Sequence, residues 1–360
     1  MFGSIKNRIP PVVYKISYVA TSICGIYLLR DTFSGSKFDK DVRCDKKVAV
    51  VTGGNSGIGK ATAEALAQKG AVVYLLCRDK YRCATARKEI VLRTKNRYVY
   101  ARECDLGSLS SVRAFVEEFR KEEEKVDILI NNAGVWRVPR EITKDGFEVH
   151  LGVNHMGHFF LTNLLLDLLV KAAPSRIINV SAGCHSKGKI NKDDLNSDNN
   201  YSEKEAYYQS KLANILFTKE LSERLKGTGV TANAVDPGTT ATDLYRVNDS
   251  SIITTIGTYF LKPFIWIFAK SPSGGAQTVL YAALDPDLEK VTGKYFEECK
   301  EKEVAPQAND DKMAKWLWAV SDKWTKLKEY PRDENGYVVS AAWRSSFACS
   351  AGSVILQLLK

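Results

Sequence analysis

From Lys46 onward, apolar and polar positions fall into two alternating patterns. Short apolar runs rich in β-branched residues (KVAVVT, AVVYLL, RYVYAR, VDILIN, RIINVS and VTANAV) stand between longer stretches such as KATAEALAQKG and SLSSVRAFVEEFRKEEE. The short runs are close to continuous, as expected of strands covered on both faces, and the longer stretches read as helices. Strand and helix in alternation predict an α/β fold. The expectation is a single doubly wound Rossmann-type domain, a parallel sheet with helices on both faces, over residues 41–328.

Both ends depart from this pattern. Ile16 to Leu29 is mostly apolar, preceded by Lys6, Arg8 and Lys15 and followed by Arg30. A full membrane span needs roughly 20 apolar residues, and this run is shorter. It reads as a short anchor with Lys15 snorkelling, as an interfacial helix, or as a buried N-terminal helix. No small-x-small cleavage pattern follows it. Residues 1–40 are therefore set apart as an anchor segment and linker. After Trp324 a charged stretch with proline and glycine reads as a linker, and Phe347 to Leu359 as an amphipathic or unstructured end, so residues 329–360 form a tail. Between these, Ile252 to Phe268 is aromatic and β-branched, interrupted by Lys262 and Pro263. It reads either as a cover over an apolar substrate or as a core helix.

Composition narrows the partners. A net charge of +10 over 360 residues favours anionic ligands or an anionic membrane surface. No basic helix or aromatic-basic repeat points to nucleic acid. The eight cysteines are scattered without a C-x-x-C pair, so the chain is expected to work reduced. His150, His155 and His158 cluster without a matching set of ligands, and no metal is expected.

The first strand runs into TGGNSGIGK. Gly53, Gly57 and Gly59 there let the backbone turn and approach a pyrophosphate, and the helix starting near Ile58 offers its N–H groups to an anion. The strand–helix context makes Gly53, Asn55, Ser56, Gly57, Ile58 and Gly59 a dinucleotide cradle. An acidic residue ending the second strand would signal NAD, but this strand ends LLCRD. Arg78 suits a 2′-phosphate and points to NADP(H), with Asp79 one step further on. Further along, AYYQSKLANILFTKELSERLKG reads as a helix from about Tyr207 to Gly227. Lys211 lies four residues after Tyr207, on the same helical face. A tyrosine with an ordinary pKa near 10 is a poor base, and a nearby ammonium favours its phenolate. That pairing suits proton exchange with an alcohol or carbonyl.

In this order, TGGNSGIG, CDL at Cys104 to Leu106, NNAG at Asn131 to Gly134, VNHMGHF, YYQSK and DPGTTAT at Asp236 to Thr242 resemble the short-chain dehydrogenase/reductase family. Within it the chain is similar to the branch of retinol dehydrogenases 11 to 14, over roughly Lys46 to Trp324. The resemblance implies that Tyr207 is the acid–base residue, that Lys211 lowers its pKa and holds the nicotinamide ribose, and that Asn154 holds a proton-relaying water. It places Asp105 and Leu106 at the adenine and Asn132, Ala133 and Gly134 along the cofactor. Pro237, Gly238, Thr240 and Thr242 fall at the nicotinamide end.

Two positions depart from the branch. Ala182 stands where it usually has the serine that orients the substrate oxygen, and Asp236 where it usually has histidine. Ser181 is no ready replacement, because neighbouring strand residues point to opposite sides. Losing one such donor costs on the order of 10²–10³ in rate. The expectation is an NADP-dependent oxidoreductase interconverting apolar alcohols and carbonyls, retinoid-like or other lipid carbonyls, with activity weakened at Ala182. The alternative is a non-catalytic NADP-binding membrane scaffold or sensor. The expected partners are an apolar small molecule and a membrane surface, mitochondrial or of the endoplasmic reticulum; a homodimer is allowed and nucleic acid is not expected.

Overall fold

The computed structural model describes residues 11–32, 34–240, 269–334 and 336–338. The segment Ile252 to Phe268, Thr242 and the tail from Phe347 to Leu359 lie outside the described residues. One sheet organises the rest, with strand order β3-β2-β1-β4-β5-β6-β7-β8. Its first six strands are β1 (Val48–Thr52), β2 (Val72–Cys77), β3 (Val99–Glu103), β4 (Ile128–Asn131), β5 (Ser175–Val180) and β6 (Val230–Asp236). All six are the runs expected from sequence, and all pair in parallel. The chain reverses its direction of winding between β1 and β4, the point at which such sheets open a crevice at their carboxyl ends. β7 (Tyr295–Glu297) extends the sheet in parallel, and β8 (Lys300–Lys302) closes that edge antiparallel.

Successive residues of each strand serve opposite layers of core. Val48 and Val50 of β1, with Tyr74 and Leu76 of β2, pack in one layer. Ala49 and Val51, with Val73 and Leu75, pack in the other. The first layer meets α4 (Leu109–Glu122), α6 (Gly157–Lys171), α7 (Glu203–Arg224) and α9 (Asp311–Trp324). The second meets α2 (Gly57–Gln68), α3 (Lys80–Thr94) and α8 (Pro272–Leu284). Helix α6 continues from the short α5 (Val149–Leu151) through a wider π turn at Gly152–Met156, which carries Asn154.

Several local expectations change. Helix α7 begins at Glu203, one turn before Tyr207, because Ser202 caps it through the Glu205 N–H and Glu203 and Glu205 place negative charge in its first turn. The stretch after Trp324, expected to be a linker, packs on the body as far as Val338: Leu327 and Val338 are buried, and the Tyr330 ring lies 5.5 Å from that of Phe160. The cysteines, expected to be unpaired, include one bonded pair, Cys77–Cys83. The turn from β2 into α3 brings their Cα atoms to 5.9 Å, within bonding reach although no C-x-x-C motif marks them.

The N-terminal helix α1 (Pro11–Thr32) is not a buried element. Val13, Ile16, Tyr18, Val19, Ile23, Leu28 and Leu29 are all exposed. Among the described residues no helix is long and apolar enough to cross a membrane. The three clustered histidines serve packing and hydrogen bonding. His150 Nδ1 bonds Glu148, His155 Nε2 bonds Ser321 Oγ, and His158 bridges Thr52 Oγ1 and the Asn154 carbonyl. Burial pushes the pKa of His155 down to about 3 and that of His158 to about 4, so both are neutral.

Candidate active site

A cleft of about 1110 Å³ opens at the carboxyl ends of the strands. It is lined by Gly53, Asn55, Ser56, Gly57 and Ile58 from the β1–α2 turn, with Gly59 buried just behind them. Gly53 has φ +67°, a left-handed conformation that favours glycine. A Cβ on Gly59 would fall 2.4 Å from the Gly53 carbonyl oxygen and from Asn132 Nδ2, so only hydrogen fits there. No side chain caps the first turn of α2, which leaves its N–H groups to an anion in the cleft. Thr52 joins the turn to the neighbouring strand. Its Oγ1 accepts from the Asn132 and Ala133 N–H groups at 2.8 and 2.9 Å, and Asn132 Nδ2 donates to its carbonyl at 2.9 Å.

Asp105, Leu106, Ala133 and Gly134 continue the lining. At the end of β2, Arg78 and Arg82 reach the cleft from exposed positions. Asp79 is committed elsewhere: its Oδ1 accepts from the Tyr81 and Arg82 N–H groups and caps α3. The acidic neighbour of Arg78 therefore has a structural task of its own. Pro237, Gly238 and Thr240 line the far end, and Thr242 lies outside the described residues.

Tyr207 and Lys211 meet in the cleft as the helical spacing requires. The Lys211 ammonium lies 5.6 Å from the Tyr207 ring centroid. It donates to the Val180 carbonyl at 3.2 Å and is buried, and that burial lowers its pKa from 10.5 to about 8 against the opposing field of Asp236. Asn154, on the π turn, holds the backbone of Val135 from both sides: its Oδ1 accepts from the Val135 N–H at 2.8 Å and its Nδ2 donates to the carbonyl at 3.1 Å. Nδ2 also bonds Ser210 Oγ at 2.9 Å. The Asn154 side chain thus fixes the wall that precedes Trp136.

Ser181 and Ala182 both line the cleft. The Ser181 hydroxyl donates to the Lys211 carbonyl at 2.8 Å and is buried, so it is used within the protein. Ala182 presents only a methyl group to that lining. Asp236 also lines the cleft; its Oδ1 accepts from the Gly238 N–H at 2.7 Å.

Other lining residues carried no expectation. Trp136 stands edge-on to Tyr207 with ring centroids 6.4 Å apart, an apolar wall beside the phenol. Its place directly after NNAGV was the available signal. Cys184 also lines the cleft, its thiol pushed up to about 11 by burial and hence neutral. Lys270 and Glu298 reach the cleft from segments without a motif.

Comparison with known proteins shows the family. The short chain dehydrogenase family matches residues 47–251. Retinol dehydrogenase 13 of Homo sapiens is 47% identical over 317 residues, covering 87% of this chain and 95% of that protein. Retinol dehydrogenase 12 of Homo sapiens is 48% identical over 293 residues, covering 81% and 90%. Among solved structures, an uncharacterized protein from Mycobacterium paratuberculosis aligns with a TM-score of 0.65 at 35% identity, over 81% of this chain and 98% of that one.

The buried ammonium makes stability depend on pH. Between about pH 8 and 10.5 the unfolded chain holds a proton on Lys211 that the folded chain has released, so this group's contribution to stability rises with pH across that window. Below pH 8 the folded state carries the full cost of burying the charge. Lys211→Met is therefore expected to melt higher than the parent at pH 7, by on the order of 5 °C, with the gap closing towards pH 10. Paired melting curves across that range check it; a variant that melts lower at pH 7, or a gap that does not change with pH, contradicts the assignment.

Proposed function

The chain belongs to the short-chain dehydrogenase family and is an oxidoreductase related to the retinol dehydrogenases; from that premise we propose that it uses NADP(H) to interconvert apolar alcohols with aldehydes or ketones, retinoid-like or other lipid carbonyls. The observation that carries this reading is the buried Lys211 ammonium over Tyr207 in the same cleft as the glycine cradle. The β1–α2 turn would hold the pyrophosphate, Asp105 and Leu106 the adenine, and Asn132 to Gly134 the middle of the dinucleotide. Pro237, Gly238 and Thr240 would hold the nicotinamide end, with Thr242 beyond them in sequence. NADP(H), when bound, supplies or accepts the hydride.

The proton falls to the chain itself. In reduction, the Tyr207 hydroxyl gives its proton to the carbonyl oxygen as the alcohol forms, and the Lys211 ammonium stabilises the phenolate left behind. Water then restores the phenol proton, a relay for which Asn154 is the candidate organiser. Trp136 gives the reacting centre an apolar wall and limits access of solvent. With an ordinary cytosolic supply of NADPH, reduction is the favoured direction.

Arg78 carries the cofactor preference. A charge-assisted contact to a 2′-phosphate contributes roughly 1.5–3 kcal/mol, so Arg78→Ala should weaken NADPH binding by about tenfold to a hundredfold and leave NADH nearly unaffected. Titration of both cofactors against both proteins measures this. Equal affinity of the parent for NADPH and NADH would refute the preference.

Ala182 favours a second reading, in which the chain binds NADP(H) without turnover and acts as a membrane scaffold or sensor. The two readings separate in Ala182→Ser. If the site is catalytic, the new hydroxyl should raise kcat on apolar aldehydes by about tenfold to several hundredfold, and the gain should vanish when Tyr207→Phe is added. No turnover in either form, with NADPH bound, would establish the second reading.

The exposed apolar surface of α1 suits a lipid surface, either mitochondrial or of the endoplasmic reticulum. A homodimer is the assembly this proposal allows. Membranes carrying the full chain should retain it through a wash in about 1 M salt, where charges are screened beyond about 3 Å. Release under that wash would leave only electrostatic attachment through the basic surface.

A further inference from the structure

Two of the residues lining the cleft, Lys270 and Glu298, have no part in the chemistry above. Lys270 is 7% exposed although it carries a charge. Its Nζ forms an ion pair with Glu298 Oε1. The other carboxylate oxygen, Oε2, accepts from the Ser36 N–H at 2.9 Å. Ser36 and its neighbour Gly35 belong to the linker that leaves α1, and both line the same cleft.

The end of the Lys270 side chain fills space between two glycines. A Cβ on Gly35 would fall 2.5 Å from Lys270 Cε, and one on Gly238 would fall 3.0 Å from Lys270 Nζ. The Lys270 backbone is tied to the same turn, since its N–H donates to the Thr239 carbonyl at 2.9 Å and the residue bridges Thr240. One ion pair therefore joins three segments distant in sequence: the linker after α1, the Pro237–Thr240 turn and the connection between β7 and β8. The next part of the linker is fastened independently. The Phe38 N–H donates to Gln277 at 2.9 Å, and the Lys40 ammonium bonds Asp285 and Asp287 at 2.6 Å each.

We propose that Lys270 is a positioning residue for the nicotinamide end of the cleft, and that its pairing with Glu298 makes the linker after α1 part of the wall against which the substrate is held. The ammonium lies against the Gly238 turn and pairs with Glu298, whose other oxygen holds the linker, so linker and turn are kept at a fixed separation. Loss of the pair releases Glu298, and with it the linker it holds at Ser36, from the Gly238 turn, while the linker's hold on α8 remains. The inference rests on the oxidoreductase reading for its effect on turnover, but the physical coupling of linker and turn stands on the geometry alone.

The test uses the full-length protein and the variants Lys270→Met, Lys270→Arg, Glu298→Gln and Gly35→Ala. Amide hydrogen exchange is followed by mass spectrometry at residues 34–37 and 237–240, together with NADPH affinity and steady-state reduction of an apolar aldehyde. Lys270→Met is expected to speed exchange in both segments, lower kcat/KM for the aldehyde about tenfold and change NADPH affinity less than threefold. Lys270→Arg should recover most of the loss. Adding Glu298→Gln to Lys270→Met should cost no more than a weakening of the Ser36 bond, because the ion pair is already broken. Gly35→Ala, which keeps both charges but crowds Lys270 from the linker side, should reproduce the fall in kcat/KM. If Lys270→Met loosens 237–240 and leaves 34–37 unchanged, the linker is not coupled and the proposal fails. It fails equally if both segments loosen while kcat/KM stays at the parent value. A parent protein without turnover would refute the oxidoreductase reading, and the exchange data would still decide the coupling.

Discussion

The active site depends on how the Lys211 ammonium is accommodated in a buried position. A charge taken out of water needs partners close at hand. Val180, the last residue of β5, supplies its carbonyl to the ammonium, and the Ser181 hydroxyl returns a bond to the Lys211 carbonyl. The two bonds run in opposite directions and lock the end of β5 to the third turn of α7. Asn214, further along the helix, adds a bond to the same Val180 carbonyl. Tyr207 is thereby held under an ammonium whose position is set by the sheet. The same lock accounts for the state of Ser181, whose hydroxyl is taken up in supporting the lysine.

The cofactor side of the cleft is joined to this lock through buried polar side chains. His158, kept neutral by burial, connects Thr52 at the end of β1 to the carbonyl of Asn154. Asn154 holds Val135 and bonds Ser210 on α7. Further along the sheet edge, Asn131 bonds Asn179, and Asn179 bonds Thr218 of α7. These bonds run between different elements and satisfy most of the buried polar atoms in the series, the Asn131 Oδ1 atom excepted, which is how a parallel sheet can end in polar residues at little cost. A shift of any one element would therefore be felt at Tyr207.

Much of this was legible in the sequence because burial on both faces leaves a recognisable trace. The six central strands show as nearly continuous apolar runs, and Tyr207 and Lys211 show as a helical pair. β7 and β8 left no such trace: each is three residues long, and Lys300–Lys302 is wholly charged and exposed. The start of α7 was misplaced because apolar periodicity begins at Tyr207, whereas the helix is nucleated by the polar cap at Ser202. The Cys77–Cys83 bond depends on a strand-to-helix turn that spacing rules for cysteine motifs do not describe. Lys270 was invisible for a related reason, since its partner Glu298, and the Ser36 N–H that Glu298 also holds, come together only when the sheet edge and the N-terminal linker have folded. Asp79 shows the limit of reading cofactor choice from residue type, because its role as a helix cap is decided by backbone geometry.

The proposed chemistry brings a nicotinamide and an apolar carbonyl together over Tyr207. Its most direct test is single-turnover transfer from NADPH carrying deuterium at C4 of the nicotinamide, with a long-chain aldehyde and the full-length protein. Deuterium from one face of the nicotinamide should appear on the carbinol carbon of the product alcohol, and Tyr207→Phe should bind the same cofactor and transfer none. Saturable binding of NADPH with no deuterium reaching any aldehyde or ketone, even in excess protein, would contradict it.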